Sequence, residues 1–272
     1  MCPITELAQV QDAFQRAKQP GSQLTTNFFA PPWQVRDWIA RQSLFYRTVD
    51  GALLLFRRDR DFHHLYHVAC SREALAHALE TFAQAPLSTD VTADLVGSEA
   101  DVTAIADTYA RCGFREYSSL FRMTCPGSTR FASDESPQVV YATHDDAPMI
   151  LAFLEGLLDR FAEQIPELDQ LEAAATRDSI LLARTEKELA GMLLFEKSGH
   201  SAVLRYWVVD DRYRNQGIGA LLIKKFFRLC NDSKRITLWV VSDNHDAIEK
   251  YRHYGFQRDR LVDQIMIMTK AA

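Results

Sequence analysis

Cysteine is scarce in this chain: 272 residues contain five, at positions 2, 70, 112, 125 and 230. No two of them form a C-x-x-C pair, which excludes the common zinc and dithiol redox motifs and predicts thiols kept reduced in the cytoplasm. Long apolar runs are missing too. The longest without a charge, such as residues 189–195, have about seven members, far short of the roughly 20 that span a bilayer, so no membrane partner is predicted. The opening residues, interrupted by Glu6 and Asp12, have no basic stretch followed by an apolar one and do not read as a signal peptide. Nor is there an excess of positive charge. Up to Ser136 there are 13 basic and 16 acidic residues, beyond it 18 and 20, for a net charge of −5. A nucleic-acid partner requires a basic stripe that this chain lacks. Any anion site must be local.

What is present is the ordinary material of globular domains, 47% hydrophobic and 25% charged residues, in a length that suits two domains of average size. Apolar spacing predicts a helix over 4–18, stopped by Pro20-Gly21. Asp50-Gly51, between apolar runs at 44–48 and 52–57, predicts a hairpin. A strand at 62–69, a helix capped by Ser71, a strand at 91–96, a helix at 99–111 and a strand at 114–124 follow. Residues 125–136, CPGSTRFASDES, have the composition of a linker. Beyond it come a strand at 139–142, a helix capped by Asp145 or Asp146, a helix at 167–176 and three strands at 180–185, 189–196 and 202–209. A helix at 217–229, a strand at 235–241, a helix at 247–253 and a strand at 261–268 complete the chain.

Tyr109 to Phe114 and Tyr251 to Phe256 share the pattern Y-x-x-x-G-F at an offset of 142 residues. That offset also brings the helix after Gly217 onto the helix after Arg72, and the strand at 235–241 close to the one at 91–96. A shared register of this length predicts two related domains, 1–130 and 137–272.

The sharpest chemical feature is VVDDRYRNQGIGALLIKKFF at 208–227, an apolar strand, a loop from Arg214 and an amphipathic helix. Gly217 and Gly219 have no Cβ, which lets loop amides approach an anion, and the helix that follows offers unsatisfied N–H groups and a favourable dipole. The same glycines would equally serve a tight turn or close helix packing. The dinucleotide fingerprint loses its third glycine to Leu222, and Asp243 lies 26 positions after Gly217 where roughly 20 is usual. No Gly-Lys-Ser/Thr makes a P-loop. His63, His64 and His67 share a strand, but no carboxylate or cysteine stands at ligand spacing beside them, so no metal is predicted.

R-x-x-G-x-G at 214–219, directly after a strand, and N-x-x-A-I-x-x-Y-x-x-x-G-F at 244–256 together resemble the GNAT superfamily of acetyl-CoA-dependent N-acetyltransferases. The resemblance covers 137–272 and reaches 1–130 only faintly. It implies an α/β protein of two tandem GNAT-like domains, each a twisted mixed sheet flanked by helices. In the second, strands 202–209 and 235–241 would splay to admit the pantetheine arm of acetyl-CoA. The resemblance further implies that the backbone of Trp207, Val208 and Val209 pairs with that arm. Arg214, Asn215, Gln216, Gly217, Ile218, Gly219 and Ala220 would hold the pyrophosphate, Asn244 would meet the pantetheine, and Tyr251 would protonate the departing thiolate. A phenol, with a reference pKa near 10, carries its proton at neutral pH.

Acyl transfer to an amine also needs a base. Strand 202–209 contains no carboxylate, Trp239 stands at the other position from which the family draws one, and Glu196, Asp243 and Glu155 are the candidates. Asp211 replaces a common proline. In the first domain the offset sets Leu75 under Gly217, His77 under Gly219 and Val102 under Asn244, which predicts a blocked cradle and a packing role for Tyr109. The implied reaction is metal-free transfer of acetyl from acetyl-CoA to the primary amine of a small molecule or peptide, by direct attack in a ternary complex. A non-catalytic acyl-CoA-binding sensor is the alternative, and a nucleotide-dependent oxidoreductase a more distant one. Acidic residues within 147–175, among them Glu155, Asp159, Glu163, Glu167 and Asp169, suit a cationic acceptor.

Overall fold

The structure, a computed structural model, describes residues 1–17, 24–127, 138–185 and 188–270. Its first elements are β1 (Cys2–Pro3), α1 (Leu7–Ala17), β2 (Thr25–Thr26), α2 (Pro32–Ala40), β3 (Leu44–Val49), β4 (Ala52–Asp59), β5 (Phe62–Ala69), α3 (Arg72–Ala83), β6 (Asp90–Ser98), α4 (Glu99–Arg111) and β7 (Arg115–Cys125). Then follow β8 (Val139–Tyr141), α5 (Ala147–Leu157), α6 (Leu168–Thr176), β9 (Ile180–Arg184), β10 (Leu189–Ser198), β11 (Ser201–Val209), α7 (Ile218–Leu229), β12 (Arg235–Val241), α8 (His245–His253) and β13 (Gln257–Met268). Periodicity places nearly all of these. Strands β1 and β2, of two residues each, are too short to leave a pattern. The stop at Pro20-Gly21 and most of the expected linker lie outside the described residues.

The chain divides into two compact units, Met1–Leu120 with Arg260–Ala272, and Phe121–Asp259. These are not the borders expected at 130 and 137. The last strand does not stay with the half that precedes it. Residues 261–268 pair antiparallel with β6, from Leu261 opposite Ser98 to Met268 opposite Val91, and bury Ile265, Met266 and Ile267 in the first unit. An alternating apolar strand fits either sheet equally well by pattern, so its destination is a tertiary matter.

Within the second unit the strand order is β7-β12-β11-β10-β9-β8. Helices α5 and α6 pack on one core with Ile150, Leu154, Leu171, Ile180, Met192 and Tyr206. α7 presents Leu222, Ile223, Phe226 and Phe227 as its buried side, each fully buried apolar side chain contributing roughly 1.5–3 kcal/mol. β11 runs antiparallel to β10 along its whole length, as far as Gly191 opposite Val209. Against β12 it is parallel and paired only at Ser201–Val203 with Arg235–Thr237. Past those three residues the two strands part, leaving backbone groups of β11 and β12 without a neighbouring strand.

The first unit, in strand order β1-β3-β4-β5-β6-β13, repeats this plan. β4 and β5 form an antiparallel pair, and β5 meets β6 in parallel only at Phe62–His64 with Asp90–Thr92. Here, however, the opening is filled from within. Thr25 and Thr26 pair with Ala69 and Val68. Asn27 donates from Nδ2 to the carbonyls of Leu65 at 3.1 Å and Asp94 at 3.0 Å, and its Oδ1 accepts from the His67 amide at 2.6 Å. One asparagine thus satisfies groups on both parted strands, which would otherwise be buried without partners. The connection into the helix also differs. Two residues, Cys70 and Ser71, join β5 to α3, against the eight from Asp210 to Gly217 that join β11 to α7. The first unit's cradle is therefore absent, and not filled by Leu75 and His77 as the sequence offset suggests. Ser71 and Ser98 are the helix caps that match Gly217 and Asn244.

Candidate functional site

The gap between β11 and β12 opens into a groove of about 690 Å³. Trp207, Val208 and Val209 from β11, Arg214, Asn215, Gly217, Ile218, Gly219 and Ala220 from the loop and first turn of α7, and Asn244 and Tyr251 of α8 and its cap all line it. Eleven of the twelve residues singled out in the sequence thus meet in one place. Gln216 does not; its Nε2 donates to the Arg212 carbonyl at 3.2 Å, which ties the loop to itself.

The loop takes its shape from its residues. Asn215 and Gly217 have φ of 63° and 80°, the left-handed region that glycine and asparagine tolerate best. Arg212 bridges Glu188 at 2.6 Å and Asp210 at 2.8 Å, and Asp210 also accepts from the Arg212 amide. Arg214 pairs with the exposed Asp211, at 2.7 Å. Gly217 caps α7 without a side chain, and a Cβ there would meet nothing within 4 Å. The first turn of α7 has no acidic residue, so no carboxylate of that turn opposes the partial positive charge of its first N–H groups.

The two glycines divide the work. A Cβ on Gly219 would lie 3.3 Å from Cζ2 of Trp207, whose indole N–H donates to the Gly219 carbonyl at 3.1 Å. Gly219 therefore makes room for an indole, whereas the positive φ of Gly217 is a backbone requirement. The Trp207 ring packs in turn against Tyr251 at 5.7 Å and Tyr254 at 5.8 Å. Asn244 spends its Oδ1 on the amide of Ala247, at 3.1 Å, as an N-cap does, which leaves its NH₂ group to meet a ligand. Burial first, and the charge of Glu163 second, hold the Tyr251 phenol well above its ordinary pKa. It carries its proton at neutral pH.

None of the three expected bases reaches the groove. Glu196, opposite Val203 on β10 and 3.8 Å from Arg205, is not among the lining residues, and neither are Asp243 and Glu155. Glu163 is. α5 ends at Leu157 with Leu158 in extended backbone. Asp159 then accepts from the amides of Phe161 and Ala162 at 2.8 and 3.0 Å, and the Glu163 amide donates back to the Asp159 carbonyl at 2.8 Å. This turn carries Glu163 to the groove. Burial pushes its carboxyl up to about 6, against the pull of Arg205 and with the help of Asp159. The sequence showed Glu163 only as one of several acids in a helical segment, and nothing local set it apart.

In the first unit the equivalent residues are structural. Tyr109 is fully buried, with its hydroxyl 3.0 Å from Nδ1 of His67. His63 and His64 lie at hydrogen-bond distance from Thr89 and from Asp59 and Thr92. Among the described residues no group of three or more potential metal ligands is assembled, and no helix is long and apolar enough to cross a membrane.

Residues 140–256 match the acetyltransferase (GNAT) family. A Bacillus subtilis (strain 168) protein provisionally named ribosomal protein bS18-alanine N-acetyltransferase is 31% identical over 114 residues, 35% of this chain and 76% of that protein. The Escherichia coli (strain K12) L-amino acid N-acetyltransferase AaaT is 36% identical over 52 residues, 18% of this chain and 32% of its own. Among solved structures, a GCN5-related N-acetyltransferase from Sphaerobacter thermophilus has a TM-score of 0.59 at 15% identity, covering 98% of this chain and 92% of that one. A tandem GNAT protein from the clavulanic acid biosynthesis pathway has a TM-score of 0.53 at 13% identity, covering 85% and 84%. At these identities the structural likeness speaks for the fold.

Proposed function

Since the chain belongs to the GNAT acetyltransferase family, we propose that its second unit transfers acetyl from acetyl-CoA to the primary amine of a small molecule or peptide, in a ternary complex. One observation carries this reading: parted strand ends, an acid-free helix N-terminus and a protonated phenol line the same groove. The residues fit the cofactor. The backbone of β11 at Trp207–Val209, without a strand on the side away from β10, suits an amide-bearing arm, and the open backbone at Gly217 suits a pyrophosphate. When bound, acetyl-CoA supplies the activated acyl group. The chain's own residues do the rest. Arg214 and the α7 N–H groups hold the phosphates, Asn244 orients the arm through its NH₂, and Tyr251 delivers its hydroxyl proton to the leaving sulfur. Five free thiols accord with a reducing compartment such as the cytoplasm.

The relatives named for alanine and amino-acid acetylation favour an amine acceptor, without choosing between peptide and free amino acid. Calorimetric titration with acetyl-CoA, followed by assay of thiol release with candidate amines, tests the reading. Micromolar binding with amine-dependent thiol release is the expected result. Binding with no turnover would instead make the protein an acyl-CoA sensor, and loss of both would remove the groove from consideration.

A further inference from the structure

We propose that Glu163, carried in by the loop between α5 and α6, is the proton acceptor of the reaction and replaces the carboxylate that β11 lacks. This rests on the reading of the groove given above. Four carboxylates line the groove: Asp159, Glu163, Asp211 and Asp246. Asp211 is engaged with Arg214 in the phosphate loop, and Asp246 lies in the first turn of α8. Asp159 uses its Oδ1 to build the turn. Glu163 enters that turn through its backbone alone, which leaves its carboxylate for other work.

Its surroundings suit proton transfer. Tyr206 of β11 donates its hydroxyl to the carbonyl of Gln164 and so anchors the loop beside the strand that lines the groove. The charged and titratable groups facing Glu163 are Asp159 on its own loop, Arg205 and Tyr206 on β11 and Tyr251 on α8, with Glu196 of β10 reaching Arg205. Glu163 acts electrostatically on both Tyr206 and Tyr251, so the base and the proposed acid serve one stretch of groove. A carboxyl raised to about 6 is ionised at pH 7 and is a stronger base than an ordinary glutamate.

The protons balance. Glu163 takes one from the arriving ammonium, directly or through a water, and frees the nitrogen lone pair. The C–N bond forms as the C–S bond breaks, and Tyr251 gives its hydroxyl proton to sulfur. The proton the nitrogen then sheds restores the phenol, and Glu163 releases its own to solvent. The net products are amide, thiol and one proton.

The test uses the full chain, acetyl-CoA and three amines of different class: spermidine, glucosamine and an alanine-initiated peptide. Glu163→Gln should bind acetyl-CoA within twofold of wild type, lose about 100-fold or more in kcat, and lose the acidic limb of the kcat/KM profile near pH 6. Glu163→Asp should keep that limb with a reduced kcat, which a merely structural glutamate would not do. A Glu163→Gln protein that retains both the rate and the limb overturns the assignment. Wild-type protein that binds acetyl-CoA yet acetylates none of the amines, or does not bind it, overturns the reading of the groove and the base with it.

Discussion

At the scale of single residues, Tyr251 and Asn27 do opposite things with the same architecture. Tyr251 faces an open groove, while its counterpart Tyr109 is sealed against His67. Tyr251→Phe keeps the ring against Trp207 and Phe256 and removes only the hydroxyl. Acetyl-CoA affinity should hold and kcat should fall about 100-fold, the range for a lost proton donor; steady-state kinetics at saturating amine read this directly. Asn27 occupies the first unit's parted strands. Asn27→Ala would remove a hydrogen-bond partner from two carbonyls and one amide, at a cost of about 3 kcal/mol. Urea denaturation should show the shift in midpoint, and an unchanged midpoint would mean that water replaces the side chain.

The decisive element is the connection between strand and helix. Where it has two residues the helix starts at once, capped by a serine side chain that accepts from the Ala74 amide at 3.2 Å. Where it has eight, the helix is capped by a bare glycine and its first N–H groups remain for a ligand. Gly217→Val would place a β-branched residue at φ 80°, at a cost of roughly 1–2 kcal/mol. Acetyl-CoA affinity should drop about tenfold as the loop relaxes. Gly217→Asn, which tolerates the left-handed region, should bind nearly as wild type. Equal loss in both variants would point to crowding by any side chain, although a Cβ here meets nothing within 4 Å.

At the scale of the whole molecule, the first unit depends on a strand from the far end of the chain. Ending the chain at Asp259 would strip β6 of β13 and expose a row of unpaired backbone groups. Limited proteolysis should then cut within residues 24–120 at sites expected to resist it in the full chain. The first unit should also carry an acid sensitivity. Burial pushes His67 down to about 3, so between that value and the unfolded pKa near 6.5 the unfolded chain binds the proton that the folded one refuses. Its contribution is complete above pH 6.5 and is lost as pH falls toward 3. Denaturation at pH 7 and pH 5 should differ by about 1–2 kcal/mol, and a flat profile would place a proton on His67 in the fold.

Local chemistry sufficed for much of this. The hairpin at Asp50-Gly51, the cap Ser71, the periodic strands and helices, and the Arg214–Gly219 loop are written in short-range patterns, because turn geometry, capping and amphipathicity act within a few residues. The Y-x-x-x-G-F repeat, too, was legible, since both copies build the same helix-to-strand corner. Three matters were decided only in three dimensions. The exchange of β13 into the first unit depends on which sheet edge is free, and an alternating strand does not state that. The eight-against-two difference in loop length was hidden by an offset of 142 drawn from one motif, because α4 has 13 residues and α8 has nine. Glu163 became a candidate base because a turn after α5 set it beside β11 and α8, where burial by residues distant in sequence raises its proton affinity. A carboxylate's environment is made by what packs around it, and no sequence neighbour supplies that.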